Sequence, residues 1–340
     1  MRLSTLRTWA QRLSRHATTR LAAAACGAAL ALLHTGAAAQ AAFPTRPIRL
    51  IVPFVPGGVT DTSGRLVAEY LSRRLGQQVI VDNRPGASGN IGTQQVATAE
   101  PDGYTLLLAF DGTMVINPHV FGKVPFNTTR DFASVGKIGD AALILVSNPS
   151  FPAKTLQEVI ALSKTQPGGL SFGTSGTGGT PHIAGELLKI KTGAQLTHVP
   201  YKGGGQAMTD VLGGNIPLVY TAVAGAHGHV KSGKLHAVAV SSAQRVPSLP
   251  DVPTFIESGV ADFDIASWVG ILAPAKTPKA VLDRLNAELN AVLADPEARD
   301  KLAAMGITAT PGPAERFAEQ MKRDLERYGA VVKAAGIKAE

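Results

Sequence analysis

Four times along the chain a short apolar run gives way to a glycine-dense segment and then to the start of a helical pattern. The segments are Pro53–Gly64 (PFVPGGVTDTSG), Asn83–Gly92 (NRPGASGNIG), Gly173–His182 (GTSGTGGTPH) and Tyr201–Gln206 (YKGGGQ). Strand, loop and helix in that order build an α/β sheet, and in open sheets of this kind the loops gather at the carboxyl ends of the strands. The first N–H groups of each helix have no intrahelical partner, and the peptide dipoles place about half a positive charge there. Glycine removes the Cβ atoms that would hold a ligand away from those groups. One such loop is also what any tight turn needs. Four in one chain point to a cleft that takes a small acidic molecule.

The remaining pattern agrees with an α/β class. Strands are expected at Ile48–Val52, Val79–Val81, Thr105–Ala109, Leu143–Val146, Leu196–Val199, Leu218–Thr221 and Ala237–Val240. Leu66, Val67, Tyr70, Leu71 and Leu75 recur at helical spacing, with Arg73 and Arg74 suiting the negative end of that helix. Trp268 and the apolar run after it read as a core strand. The last third is mainly helical, over Lys279–Leu293, Pro296–Met305 and Glu315–Ala335. A chain of 340 residues exceeds what one core usually holds, so two lobes are expected.

The formal charge of +8 would suggest a nucleic-acid partner if it were spread over the chain. It is not. Residues 1–39 carry Arg2, Arg7, Arg12, Arg15 and Arg20 and no acid, then an apolar run from Leu21 to Leu33, then Ala37, Ala38 and Ala39. This is the pattern of a secretory signal peptide with cleavage near Ala39, and its removal lowers the charge to about +3. A lipid anchor at Cys26 is the rival reading, but Ala23 replaces the usual leucine and most of the apolar run follows the cysteine. With Cys26 removed, no thiol, disulfide or cysteine-ligated metal is expected. Beyond residue 42 no apolar stretch approaches the ~18 residues that span a bilayer, so the product reads as exported and soluble.

Motifs for cofactor or covalent chemistry fail in detail. Gly228–Lys234 fits GxxxxGK, but Leu235 stands where a magnesium-binding hydroxyl is required; Gly86, Gly89 and Gly92 give only GxxGxxG. Neither Ser88 nor Ser175 has the second glycine of a hydrolase elbow, since Asn90 and Thr177 occupy that place. His227 and His229 lack a carboxylate at zinc-ligand spacing. No catalytic residue, metal or cofactor is therefore expected. His182, behind the third loop, reads equally as a donor to a bound anion or as a helix cap. Asp61 reads as a cap of the first helix, and Lys202 as a solvated turn residue. Asp111 reads as a loop residue that, if it faced the cleft, would receive an ammonium group.

These loops in this order resemble the periplasmic substrate-binding proteins of tripartite tricarboxylate transporters, the Bug family. The likeness runs from about Phe43 to the C-terminus. Its further marks are Pro101–Tyr104 (PDGY), Asn117-Pro118, Asp131-Phe132, His198–Gly204, Asp210–Asn215 (DVLGGN), Pro250–Thr254 (PDVPT) and Trp268. The resemblance implies a two-lobe periplasmic-binding-protein fold, type II-like, with a ligand cleft between lobes. One lobe would comprise 43–145 plus 268–340, the other 146–267. It implies a small carboxylate ligand, a membrane permease as partner, a monomer and a periplasmic location. A sensory receptor of the same fold and a secreted hydrolase are the alternatives.

By the same resemblance Val55, Gly57, Gly58 and Thr60 would form the first cradle, and Ala87, Ser88 and Gly89 the second. Thr174, Ser175, Thr177 and His182 would face them from the other lobe, with Tyr201 and Lys202 nearby. Asp111 completes the expected ligand-binding set. Phe110-Asp111 stands where relatives commonly carry small or hydroxyl residues, so the ligand's identity does not carry over.

Overall fold

A computed structural model describes residues 43–56, 59–201 and 204–338. The expected leader, Gly57, Gly58 and Lys202 lie outside the described residues. From β1 (Ile48–Val52) the chain passes through the first glycine loop to α1 (Val59–Leu75) and β2 (Val79–Asn83). The second loop leads to α2 (Asn90–Ala97) and β3 (Thr105–Phe110). A π-helical turn, Gly112–Ile116, and a short helix, α3 (Asn117–Val120), follow before the long strand β4 (Phe132–Ser147). Next come α4 (Leu156–Thr165), β5 (Leu170–Thr174), α5 (Thr180–Thr192), β6 (Leu196–Pro200), α6 (Gly204–Leu212), β7 (Leu218–Ala222), α7 (Val223–Lys231) and β8 (His236–Val240). The chain closes with β9 (Ala266–Pro274), α8 (Lys279–Ala294), α9 (Pro296–Ala304), β10 (Ile307–Ala309) and α10 (Ala314–Ala335).

The strands form two sheets that share β4. In the first, β1 pairs in parallel with β2 and β3, and β9 lies antiparallel between β3 and β4, with Phe110 opposite Val269 and Lys137 opposite Gly270. β10 closes the outer side of β4. From Leu143 onward β4 enters the second sheet, antiparallel to β7 and β8, while β5 pairs in parallel with β6 and β7. The expected strands are present, and the three C-terminal helices begin and end within a residue of expectation.

β5, β10 and the first half of β4 carry too little signal in the sequence. Gly136, Lys137, Gly139 and Asp140 interrupt that half of β4, and its register against β9 shifts twice, so alternation is lost. Trp268 is a core residue, as its strand pattern implied. It is fully buried on β9, meets Phe317 of α10 edge-on at 4.9 Å, and donates from Nε1 to Asp324 Oδ2 at 2.9 Å. An aromatic ring with its polar edge paired in this way is among the largest single contributors to a core.

Candidate functional site

The first two glycine loops are tied together by one carboxylate and one amide. Asn83, at the end of β2, donates from Nδ2 to the Phe54 carbonyl (3.0 Å) and to Asp61 Oδ1 (2.8 Å). Asp61 sits in the first turn of α1 and also accepts from Arg65 Nε at 3.0 Å. Its negative charge thus completes the positive helix end and the arginine instead of facing outward.

In the second loop Gly86, Ala87, Ser88 and Gly89 all take positive φ, of 133°, 47°, 54° and 90°. Two consecutive non-glycine residues in that region cost energy and persist only where the surroundings enforce them. Here Thr113 Oγ1 and Asn117 Nδ2 both donate to the Ser88 carbonyl at 3.0 Å, and Asn117 Nδ2 also reaches Asn90 Oδ1 at 2.9 Å. Ala87 and Ser88 are left exposed, whereas Gly89 is buried against Thr113 and the Phe54 ring.

The third and fourth loops are joined likewise. Tyr201 N–H donates to the Thr174 carbonyl (3.1 Å), and the Tyr201 hydroxyl donates to Asp210 Oδ2 (2.7 Å). The buried Thr174 hydroxyl donates to the Gly176 carbonyl (2.9 Å) and shares a 2.7 Å hydrogen bond with His198 Nε2. His198 stacks on His182 at 3.6 Å, and His182 Nδ1 accepts from Gly178 N–H at 3.1 Å. Burial, first of all, holds both imidazoles well below their usual range, so they are neutral and the 3.8 Å approach of His182 to Glu186 is no ion pair. Ser175 and Thr177 remain exposed, and their hydroxyls make no hydrogen bond among the described residues.

The two halves meet through residues 110–120. Thr113 and Asn117 brace the second loop, Thr180 at the start of α5 donates to Asp111 Oδ2 at 2.6 Å, and Val120 packs on Gly178 of the third loop. Asp111 has no exposed surface and its Oδ1 has no partner. Burial raises its carboxyl to about 7, against the opposing effect of the Thr180 hydrogen bond. A separate hollow of ≈ 890 Å³ between α4 and β8, lined by residues such as Leu156 and Val238, is reached by none of the loops.

Helix starts, exposed hydroxyls and braced amides of this kind can hold an anion; the one hydroxyl set against an imidazole among the described loop residues, Thr174 on His198, is buried and also bonded to the Gly176 carbonyl. The comparisons with known proteins agree on the kind of site. A model for the "Tripartite tricarboxylate transporter family receptor" matches residues 64–337. The chain belongs to this family. The protein BugT of Bordetella pertussis is 36% identical over 300 residues, covering 87% of this chain and 91% of BugT. Among solved structures, Rpa4515 of R. palustris with adipate superposes with a TM-score of 0.77 at 33% identity, covering 87% of this chain and 99% of that one. MatC from Rhodopseudomonas palustris with bound malate gives 0.72 at 30%, covering 85% and 100%.

Within this family member the expected ligand residues divide by position. Val55, Ala87, Ser88, Ser175 and Thr177 are exposed at the loops, and Tyr201 is half-buried. Thr60, Gly89, Thr174 and His182 are buried, with Thr174 and His182 engaged in holding the third loop. Asp111, expected as a loop residue and included in the ligand-binding set, has no exposed surface, and Thr180 occupies one of its carboxyl oxygens, so it does not offer the carboxylate that an ammonium group would need. Sequence reasoning passed over Thr113 and Thr180. Asn117-Pro118 stands in the sequence reading only as a family mark, although asparagine followed by proline at a helix start signals a fixed turn there.

Proposed function

We propose that this receptor, exported and freed of its leader near Ala39, captures a small carboxylate in the periplasm and delivers it to a membrane permease. The observation that supports this reading is that residues 110–120 brace the second loop on one side and bond to Thr180, at the start of the helix behind the exposed Ser175 and Thr177, on the other. A carboxylate spanning both sides would draw on backbone N–H groups and hydroxyls from each. Charge-assisted hydrogen bonds contribute roughly 1.5–3 kcal/mol apiece, and association plus ordering costs several kcal/mol. Roughly micromolar, reversible binding follows, as delivery requires.

The shared strand β4 and the return strand β9 support lobes of 43–145 plus 268–340 and of 146–267, with closure favoured because only the closed form satisfies both sets of donors. No covalent chemistry is part of this reading, and a monomer suffices for it. Two adipate- and malate-bound relatives make dicarboxylates the first ligands to try. Mass spectrometry of small molecules released from the purified protein, followed by a thermal-shift panel of carboxylic acids, tests it. Stabilisation by one or more acids, reduced in Ser175→Ala, is the expected result. A protein that no carboxylate stabilises, or that hydrolyses or oxidises those it binds, overturns it.

A further inference from the structure

The polar side chains beneath the first two loops are either paired or sealed from solvent. Asp111 is sealed against Thr180, and the Thr113 hydroxyl and Asn117 amide both donate to the Ser88 carbonyl. What this region does offer is aromatic. Phe110, the last residue of β3, and Phe54, just after β1, meet edge to face with centroids 5.6 Å apart and planes at 87°. Both rings are half-buried. The Phe54 ring edge comes within 3.2 Å of where a Cβ on Gly89 would stand, directly under the strained second loop. Phe110 closes β3 as Phe54 follows β1, both at the strand ends from which the first two loops and the 110–120 segment leave, and the next residue, Asp111, bonds to the first residue of α5. Val55, with 63% of its surface exposed, and Ala87 continue the apolar surface along the first two loops.

We propose that Phe110, backed by Phe54, is a specificity-determining residue that selects carboxylates with an unsubstituted hydrocarbon middle over their hydroxylated counterparts. The inference rests on the carboxylate-binding reading above. A ligand whose ends reach the loops lays its middle on these rings. Methylene or aryl carbon there gains apolar contact, whereas a hydroxyl loses its water and finds its natural partners occupied. Such a mismatch costs about a factor of ten or more in affinity. A ring also resists replacement: an aliphatic side chain keeps the apolar surface, while a short hydroxyl side chain opens a small polar recess.

The test is isothermal titration of the receptor purified from periplasmic extract with two matched pairs, succinate against malate and tricarballylate against citrate. In the unaltered protein the unhydroxylated member of each measurable pair binds at least about tenfold more tightly. Phe110→Leu keeps the preference, and Phe110→Ser narrows or inverts it, with thermal unfolding confirming that both variants are folded. Equal or tighter binding of the hydroxylated members, or a Phe110→Ser variant that weakens every acid by one common factor, overturns the assignment. If no carboxylate of a wider panel binds, the carboxylate reading itself fails; if acids bind without this discrimination, only the role of Phe110 fails.

Discussion

Thr180 Oγ1 donates to Asp111 Oδ2 across 2.6 Å, between the helix that opens the third loop and the strand end that leads to the braces of the second. Both residues are without exposed surface, and Asp324 and Tyr328 of α10 face the same carboxyl. Folded Asp111 titrates near 7, whereas an unfolded aspartate titrates near ~3.9. Between those values the folded chain holds a proton that the unfolded chain has lost, so this group's contribution to stability declines as pH rises and levels off above 7. Asp111→Asn keeps an acceptor for Thr180 and removes the titration. Its melting temperature relative to the unaltered protein should rise between pH 4.5 and pH 8; parallel profiles would refute the burial argument.

Asn117→Ala and Thr113→Val each remove a donor from the Ser88 carbonyl. A hydrogen bond of this kind contributes about 0.5–1.5 kcal/mol net. Freed of a brace, the loop should relax from its left-handed conformation and cost about tenfold in carboxylate affinity, with the unfolding free energy lowered by only ~1 kcal/mol. Calorimetric titration beside urea unfolding separates the two effects, and a variant with unchanged affinity would show that the loop needs no such support.

Gly89 and Gly76 both take positive φ, 90° and 67°, but their surroundings differ. A Cβ on Gly89 would stand 2.6 Å from Thr113 Oγ1, whereas one on Gly76 would meet nothing within 4 Å. Gly76→Ala should therefore cost about 1 kcal/mol for backbone conformation alone. Gly89→Ala should cost more, ~2–4 kcal/mol, and weaken binding by displacing Thr113. Equal losses in urea unfolding would contradict the close approach at Gly89.

The stacked pair His182 and His198 titrates well below the usual imidazole range because burial disfavours the charged ring. Stability from these groups is complete above an unfolded histidine's pKa of about 6.5 and is lost as pH falls through their depressed folded values. His198→Asn should flatten the decline in melting temperature between pH 6.5 and pH 4. A decline of unchanged steepness would mean that carboxylates alone cause the acid sensitivity.

Most of the architecture was readable because it follows from local rules. Ile48–Val52 and Leu218–Ala222 announce themselves as buried apolar runs, and α10 as an amphipathic helix, whatever surrounds them. β4 was only half legible, since Gly136 and Gly139 are chosen by what packs against them, Leu289 and the β10 backbone, and not by strand propensity. The site followed the same division. Its glycine loops stand out in any reading of the chain. Thr113, Asn117 and the burial of Asp111 depend on contacts between residues 25 to 69 positions apart, which no spacing rule reveals.

β9 fills the gap between β3 and β4, so Phe110 must wait for Val269 before the first sheet can close. Contacts that distant in sequence make folding slow, because the intervening chain must be ordered before they repay its entropy. The first sheet therefore cannot be completed until the chain has been made as far as β9, about 160 residues after the partner strand β3.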